Sequence, residues 1–159
     1  MIPATQLDQL PIRVGLGQFQ TPTDSLLAYI KQCGVDDIQI NTALLPGENR
    51  WEYEDLAGLR ERVNDAELRL MSLENVPVTF YDKIMLGQPG RDEQLDHMVA
   101  TVTNIGRAGI PILGYHFMPT GVWRTSRSRP VRGGALATAY DHQLAIDSPD
   151  DRFQHKNST

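Results

Sequence analysis

The chain contains little cysteine: Cys33 stands alone among 159 residues. An intrachain disulfide is therefore excluded, and such cysteine usage is typical of a protein of the reducing cytoplasm. No stretch approaches the ~18 consecutive apolar residues of a membrane span. The N-terminus also lacks the basic start and apolar run of a signal peptide. We therefore expect a cytoplasmic protein without a membrane partner. We expect Cys33 itself to be a buried, inert thiol on the apolar side of a helix.

Positive charge is also scarce. The 15 Lys and Arg residues are outnumbered by 20 Asp and Glu residues, which gives a net charge of -5. General binding to a phosphate backbone requires a basic surface, so nucleic acid is not an expected partner. The hydrophobic fraction of 40% is ordinary for a globular protein. A chain of this length can bury the core of one domain.

Short apolar runs alternate with segments of helical periodicity, which is typical of βα units on a parallel sheet. This pattern predicts strands over about 13–19, 37–42, 68–74 and 110–117. It also predicts three helices. The first begins near 21–24 and ends at Gly34, the second covers 53–65, and the third covers 91–108. Residues 75–90 read as a long connection, and no regular element is predicted beyond Pro119. The last helix has the clearest pattern, with an expected buried stripe of Leu95, Met98, Val99, Val102 and Ile105.

The predicted fold class is α/β, a parallel (βα)n TIM-barrel-type fold truncated to about four strands and three helices. A complete (βα)8 barrel takes roughly 250 residues, so the chain supplies a partial barrel. We assign residues 1–146 to the N-terminal half of a barrel and residues 147–159 to a polar, disordered tail. Four parallel strands alone leave open edges. We therefore expect a homo-oligomer or a complementing C-terminal half as partner.

Polar residues gather where the third and fourth strands end. Glu74 and Asn75 close the third strand, and Tyr115 and His116 lie in the fourth. Parallel α/β folds bind ligands at the carboxyl ends of their strands. Glu74 either serves such a site, or it pairs with a neighbouring Arg or caps a backbone amide. His116 either binds a metal or shuttles protons, or it is a satisfied rim residue.

Trp123 and Arg124 follow this cluster in the sequence. An Arg beside an aromatic ring suits a bidentate grip on a carboxylate. Arg127, Arg129 and Arg132 continue the basic pattern, and we expect them to be solvated. Further polar residues lie inside strands, each a weak candidate alone: Gln39, Asn41 and Ser72.

Common nucleotide and metal motifs are absent from the sequence. Gly15-Leu16-Gly17 lacks the third glycine of a dinucleotide fingerprint. The histidines are too scattered along the chain to predict a metal cluster, because a site normally needs three or four ligands. We therefore assign no metal ligand within this chain.

The segment from Glu74 to Thr125 is the most distinctive part of the chain. Its amino-acid sequence resembles the mannonate dehydratase family, including its divergent members. The resemblance covers about 13–141. The shared motifs are Leu44–Glu48 with Trp51, Glu74–Pro77, Tyr81–Lys83, Met85–Gly87, Pro89–Asp92, Gly106–Ile110, Tyr115–Pro119, Gly121–Thr125 and Gly133–Ala135.

The resemblance implies a xylose-isomerase-like TIM barrel and a lyase that removes water from D-mannonate to give 2-keto-3-deoxygluconate in hexuronate (glucuronate) catabolism. It also implies a divalent metal, usually manganese or iron. In such chemistry a base removes the proton beside the carboxylate, the metal stabilises the enediolate, and an acid helps hydroxide leave. The candidate catalytic residues are Glu74, His116 and Arg124, with Arg124 holding the carboxylate. The candidate substrate-binding residues, for a small sugar acid, are Asn75, Tyr115 and Trp123.

The chain departs from the better-studied members in two places. Leu44-Leu45 stands where they carry a His pair, and Val122 stands where they tend to carry Asp. These departures favour a divergent subgroup. The family's His, Cys and Asp metal ligands fall in its C-terminal half, so we expect this chain alone to be an inactive fragment. The alternatives are a sugar isomerase or epimerase of the same barrel class, and a non-catalytic half-barrel that pairs with another chain.

Overall fold

The structure, a computed structural model, describes residues 12–118 and 124–146. The chain divides into two compact units, Met1–His116 and Phe117–Thr159. In its described residues, the first unit contains a parallel sheet with helices. The second contains an antiparallel hairpin and a short helix.

The first unit is built from alternating strands and helices. Its four strands are parallel and lie in the order β1-β2-β3-β4, which confirms the predicted parallel α/β fold, although they do not close into a barrel. The strands are β1 (Gly15–Phe19), β2 (Asp37–Asn41), β3 (Arg69–Glu74) and β4 (Ile112–Gly114). The helices are α1 (Asp24–Gln32), α2 (Tyr53–Asp65), α3 (Asp82–Leu86) and α4 (Arg91–Arg107), with a 3-10 turn at Val78–Phe80.

The pairing register brings the carboxyl ends of the four strands to one level. Phe19 of β1 lies beside Ile40 of β2, Asn41 lies beside Glu74, and Glu74 lies beside Gly114 of β4. A polar residue at the end of any of these strands therefore stands on the same edge of the sheet.

Local sequence explains how the helices begin and where they pack. Thr23 caps α1 by accepting a hydrogen bond of 3.4 Å from the Leu26 amide. The predicted second helix has the bounds that α2 shows. The core forms between the helices and the sheet, and its most buried apolar residues are Ile30, Ile38, Ile40, Trp51, Leu56, Val63, Leu68, Leu73 and Phe80.

The predicted buried stripe of α4 is wrong in large part. Leu95, Val99 and Val102 are 43%, 64% and 48% exposed, whereas the buried residues of this helix include Gln94 and Asn104. The helix turns a polar face inward because irregular backbone beneath it needs hydrogen-bond partners. The side-chain amide of Asn104 donates to the Trp51 carbonyl over 3.0 Å.

Three further expectations fail. Cys33 is exposed because it forms the carboxyl cap of α1, where the chain turns away at Gly34. The segment 75–90 contains α3 and the 3-10 turn. Beyond Pro119, strands β5 (Ser126–Pro130) and β6 (Leu136–Ala139) form an antiparallel hairpin, and α5 covers His142–Ile146.

The predicted tail at 147–159 lies outside the described residues. No helix among the described residues is long and apolar enough to cross a membrane.

A buried carboxylate fastens the amino-terminal end of the sheet. Asp37, 7% exposed, begins β2. It lies 2.7 Å from Nε of Arg13 and 2.6 Å from Nη2 of Arg69. Both guanidinium groups are themselves largely shielded from solvent, so loss of Asp37 would leave two poorly solvated charges without their counter-charge.

We predict that Asp37→Ala lowers the free energy of unfolding by about 2–4 kcal/mol, because two shielded guanidinium groups lose their counter-charge. Urea denaturation followed by circular dichroism measures the change. Asp36→Ala is the matched control at the neighbouring position, and we expect a change within about 0.5 kcal/mol. Equal effects of the two substitutions would contradict the structural role of Asp37.

Candidate active site

The carboxylate of Glu74 joins the ends of three strands. Nε2 of Gln18, on β1, donates to Oε2 of Glu74 over 3.1 Å, and Nε2 of Gln39, on β2, donates to the same oxygen. Glu74 ends β3. Hydrogen bonds to an ionised carboxylate are stronger than those between neutral groups. The clamp therefore fixes the position of one negative charge at the carboxyl edge of the sheet.

A glycine makes room for this clamp. A Cβ atom on Gly17 would lie 2.7 Å from Cβ of Gln39, closer than side-chain carbons approach one another. The absence of a side chain at Gly17 therefore allows β1 and β2 to bring Gln39 within reach of Glu74.

Three residues near these strand ends adopt the left-handed backbone conformation. Gln18 has a φ of 71°, Thr42 has 44° and Asn75 has 62°. The conformation is unfavourable for residues other than glycine and is especially rare for a β-branched residue such as Thr42. Such strain costs about 1–3 kcal/mol for a residue such as Gln18 or Thr42, less for asparagine, and concentrates at functional sites. Its clustering on one edge of the sheet marks this edge as the candidate site.

A second hydrogen-bonded group lies beside Glu74 in the sequence. Nδ1 of His116 is 2.7 Å from Oδ1 of Asn75, and Nε2 of His116 is 3.2 Å from the hydroxyl of Tyr81. The Tyr81 and His116 rings meet edge to face, with centroids 6.1 Å apart. The backbone amide of Asn75 donates to the Gly114 carbonyl over 2.8 Å. Both backbone and side chain thus tie Asn75 to β4 and the residues after it.

The phenol of Tyr81 is buried, with 7% exposure. Burial raises the pKa of Tyr81 because the phenolate would lose its hydration. A tyrosine hydroxyl is protonated at neutral pH even at its ordinary pKa of about 10, and this shift favours the protonated form further, so the hydroxyl can donate a hydrogen bond.

Three of the six predicted site residues, Glu74, Asn75 and His116, make the hydrogen bonds at this edge of the sheet. Tyr115 directly follows β4 and is 82% exposed. Arg124 is an exposed residue of the second unit. Trp123 lies outside the described residues.

Sequence reasoning left Gln18 and Tyr81 out of the candidate set and gave Gln39 little weight. Gln18 follows Gly17 near the end of a predicted strand, so its position resembled that of Glu74 and gave a usable signal. Tyr81 sits in a segment that was interpreted as a connection, and no local pattern indicates that its side chain reaches His116.

The described residues do not fit the divalent metal that the resemblance implies. Residues 12–118 and 124–146 contain no group of three or more His, Cys, Asp or Glu that could hold a metal ion. In addition, both ring nitrogens of His116 already make hydrogen bonds. A metal could recruit this imidazole only by breaking one of them.

Two cavities lie elsewhere in the described residues. The larger, about 290 Å³, is lined mainly by residues 46–50 and by Glu52, Asp55 and His97. The smaller, about 110 Å³, lies against α3 and α4 and shares Asn49 and His97 with the first. None of the strand-end residues lines either cavity. Their linings mix acidic and basic groups and indicate no particular ligand.

Curated relatives share part of the chain. A mannonate dehydratase from Thermotoga maritima is 34% identical over 101 residues, which are 63% of this chain and 28% of that protein. A mannonate dehydratase from Streptococcus pneumoniae is 32% identical over 97 residues, 60% of this chain and 26% of that protein. The matched regions thus span little more than a quarter of these relatives' lengths.

A solved structure agrees on the fold. The crystal structure of mannonate dehydratase from Streptococcus suis serotype 2 superimposes with a TM-score of 0.74 and 24% sequence identity. The match covers 89% of this chain and 40% of that chain. The family model for D-mannonate dehydratase (UxuA) matches residues 17–157, which is most of the chain. The chain therefore belongs to the D-mannonate dehydratase (UxuA) family.

Proposed function

We propose that this chain supplies the substrate rim of a mannonate dehydratase-like lyase that converts D-mannonate to 2-keto-3-deoxygluconate and water. Family membership supports the reaction. The observation that carries the proposal is the cluster at the carboxyl edge of the sheet, where Glu74 is clamped and Asn75 and His116 are joined. The proposed setting is hexuronate breakdown in the cytoplasm, in keeping with a single cysteine.

The rim offers groups that suit a polyhydroxy acid. Glu74 presents a fixed carboxylate that can accept hydrogen bonds from sugar hydroxyls. Asn75 presents a carboxamide, and Arg124 is proposed to hold the substrate carboxylate through two parallel hydrogen bonds. Tyr115 and Trp123 are proposed to contact the rest of the substrate. Because these groups bind and orient rather than complete the reaction, the chain alone is proposed to be inactive.

We also propose that the complete enzyme uses a metal ion, although the described residues do not form its site. The manganese or iron that the resemblance implies would supply Lewis-acid chemistry. The described residues hold no suitable ligand group, so its ligands would come from outside them. The relatives are several times longer than the region they share with this chain, which leaves room for such ligands.

The reaction is tested by combining the chain with the separately expressed remainder of the Streptococcus suis enzyme. D-mannonate, other aldonic acids and ketoses are each supplied with manganese, and release of a 2-keto-3-deoxy acid is measured. We expect product from D-mannonate or a close aldonic acid only when both polypeptides are present. Turnover by the chain alone would contradict its proposed inactivity. Conversion of a ketose without any 2-keto-3-deoxy acid would replace the lyase with an isomerase.

We predict that Arg124→Lys reduces kcat/KM of the active combination by roughly 30- to 1000-fold, equivalent to about 2–4 kcal/mol, because an ammonium group cannot form the paired bonds of a guanidinium. Arg129→Lys is the matched control, since that residue is exposed in β5 and is proposed to be solvated. Near-normal kcat/KM for Arg124→Lys would eliminate its role as a carboxylate clamp.

A second candidate function, a half-barrel that pairs with another chain, is favoured by the surface of α4. Leu95, Val99 and Val102 lie on one face of the helix at a spacing of four and three residues, and all three are exposed. Among the described strands, β1 and β4 each have only one neighbour. An exposed apolar helix face and an open sheet edge are each typical of an interface. The proposed occupant is a second copy of this chain.

Self-pairing predicts that the chain sediments at about twice its monomer mass of 17.8 kDa. Val99→Glu should shift it toward monomer, because the substitution places an unpaired charge in the apolar interface. Asn64→Glu, at an exposed polar position of α2, should leave the mass unchanged. A wild-type chain that remains monomeric at high micromolar concentration would refute self-pairing and leave the complementing half as the expected partner.

A further inference from the structure

Two hydrogen bonds join Tyr81, His116 and Asn75, and the chemistry of the three side chains fixes which atom donates in each. A neutral imidazole carries one hydrogen on its two ring nitrogens, so one nitrogen donates and the other accepts. Oδ1 of Asn75 can only accept, and it lies 2.7 Å from Nδ1 of His116. Nδ1 therefore carries the hydrogen, and Nε2 accepts from the Tyr81 hydroxyl at 3.2 Å.

This direction determines what Asn75 offers to a ligand. Because its amide oxygen is occupied by His116, the remaining polar group is the Nδ2 amino group, which can only donate. Nδ2 makes no hydrogen bond within the described residues. The side chain is half-buried, next to Glu74 on the strand-end edge.

The loop that carries Tyr81 is itself held in place by α4. Nε2 of the buried Gln94 donates to the Thr79 carbonyl and to Oδ1 of Asp82, each over 2.8 Å. Its Oε1 accepts from the Ile84 amide over 3.0 Å. These bonds bracket Tyr81 on both sides in the sequence. The phenol is thus fixed from the outer helix, and as a protonated tyrosine hydroxyl it can donate in neutral solution.

We propose that Tyr81 and His116 are positioning residues that orient the Asn75 carboxamide, so that Nδ2 of Asn75 donates to a hydroxyl or carboxylate oxygen of the ligand. The oxygen-rich ligand rests on the proposed function, whereas the direction of the hydrogen bonds does not. The proposal gives His116 a role other than metal binding or direct proton transfer, since both of its nitrogens are engaged. It also adds Tyr81 to the site.

The direction is tested by long-range ¹H–¹⁵N spectra of the uniformly ¹⁵N-labelled full chain at pH 8, which distinguish the two neutral imidazole tautomers. His116→Gln identifies the His116 signals. We expect His116 to be predominantly in the Nδ1–H form, although the Nε2–H form is the usual one in solution. A predominant Nε2–H form in the wild type would overturn the proposal.

Tyr81→Phe removes the donor to Nε2 and keeps the aromatic ring. We expect the share of the Nε2–H form of His116 to rise, because the bond to Asn75 alone then favours the Nδ1–H form, while the backbone spectrum stays folded. Tyr140→Phe is the matched control, because the Tyr140 hydroxyl makes a similar 3.0 Å contact with His142 in an exposed setting. It should leave His116 unchanged. An unaltered His116 tautomer in folded Tyr81→Phe would overturn the role of Tyr81.

Asn75→Asp separates orientation from ligand binding, because a carboxylate still accepts from Nδ1 of His116 but cannot donate outward. We expect the His116 tautomer to persist and the affinity for D-mannonate, followed by titration, to fall at least about 10-fold. Asn64→Asp, on the exposed face of α2, controls for the added charge. Unchanged affinity would overturn the donor role of Asn75. If the wild-type chain binds no aldonic acid, the proposed ligand fails while the tautomer result still decides the direction of the bonds.

Discussion

The strand-end site depends on one carboxylate. Glu74 accepts hydrogen bonds from Gln18 and Gln39, so a single charged group links β1, β2 and β3 at their carboxyl ends. Those bonds are available only because the parallel register places the three strand ends at one level, and because Gly17 carries no side chain. The charge therefore has a fixed position before any ligand arrives, and pre-arranged polar groups are those that contribute most to catalysis.

The polar residues at the two ends of the sheet differ in burial and in the role that we assign to them. At the amino-terminal end, Asp37 is buried between two guanidinium groups and stabilises the strand arrangement. At the carboxyl end, polar side chains are only partly buried, and the backbone of Gln18 and Thr42 is strained. Among the described residues, three of the four non-glycine residues with positive φ lie at this end, and the fourth, Glu67, precedes β3. Parallel α/β enzymes place their active sites at the carboxyl ends of the strands, which supports a functional interpretation of the cluster around Glu74.

Much of the fold could be predicted because its signals are local. The α2 bounds followed from apolar spacing, and the parallel strands followed from alternating runs. The α4 face was predicted wrongly because Gln94 and Asn104 are buried to satisfy backbone groups far along the chain, which periodicity does not encode. The hairpin of the second unit was missed although Gly133 and Gly134, both at positive φ, lie in its turn. Glu74, Asn75 and His116 were predicted as candidates from their place at strand ends, whereas Tyr81 reaches His116 only through tertiary packing.

The central claim is that the carboxyl edge of this sheet binds a sugar acid. A crystal structure of the chain grown with D-mannonate, alone or with its complementing half, tests that claim most directly. The predicted result is an aldonic acid with an oxygen within hydrogen-bond distance of Nδ2 of Asn75 and a hydroxyl group beside the carboxylate of Glu74. D-mannonate bound instead in the cavity lined by Asn49 and His97, with the strand-end edge left unliganded, would contradict it.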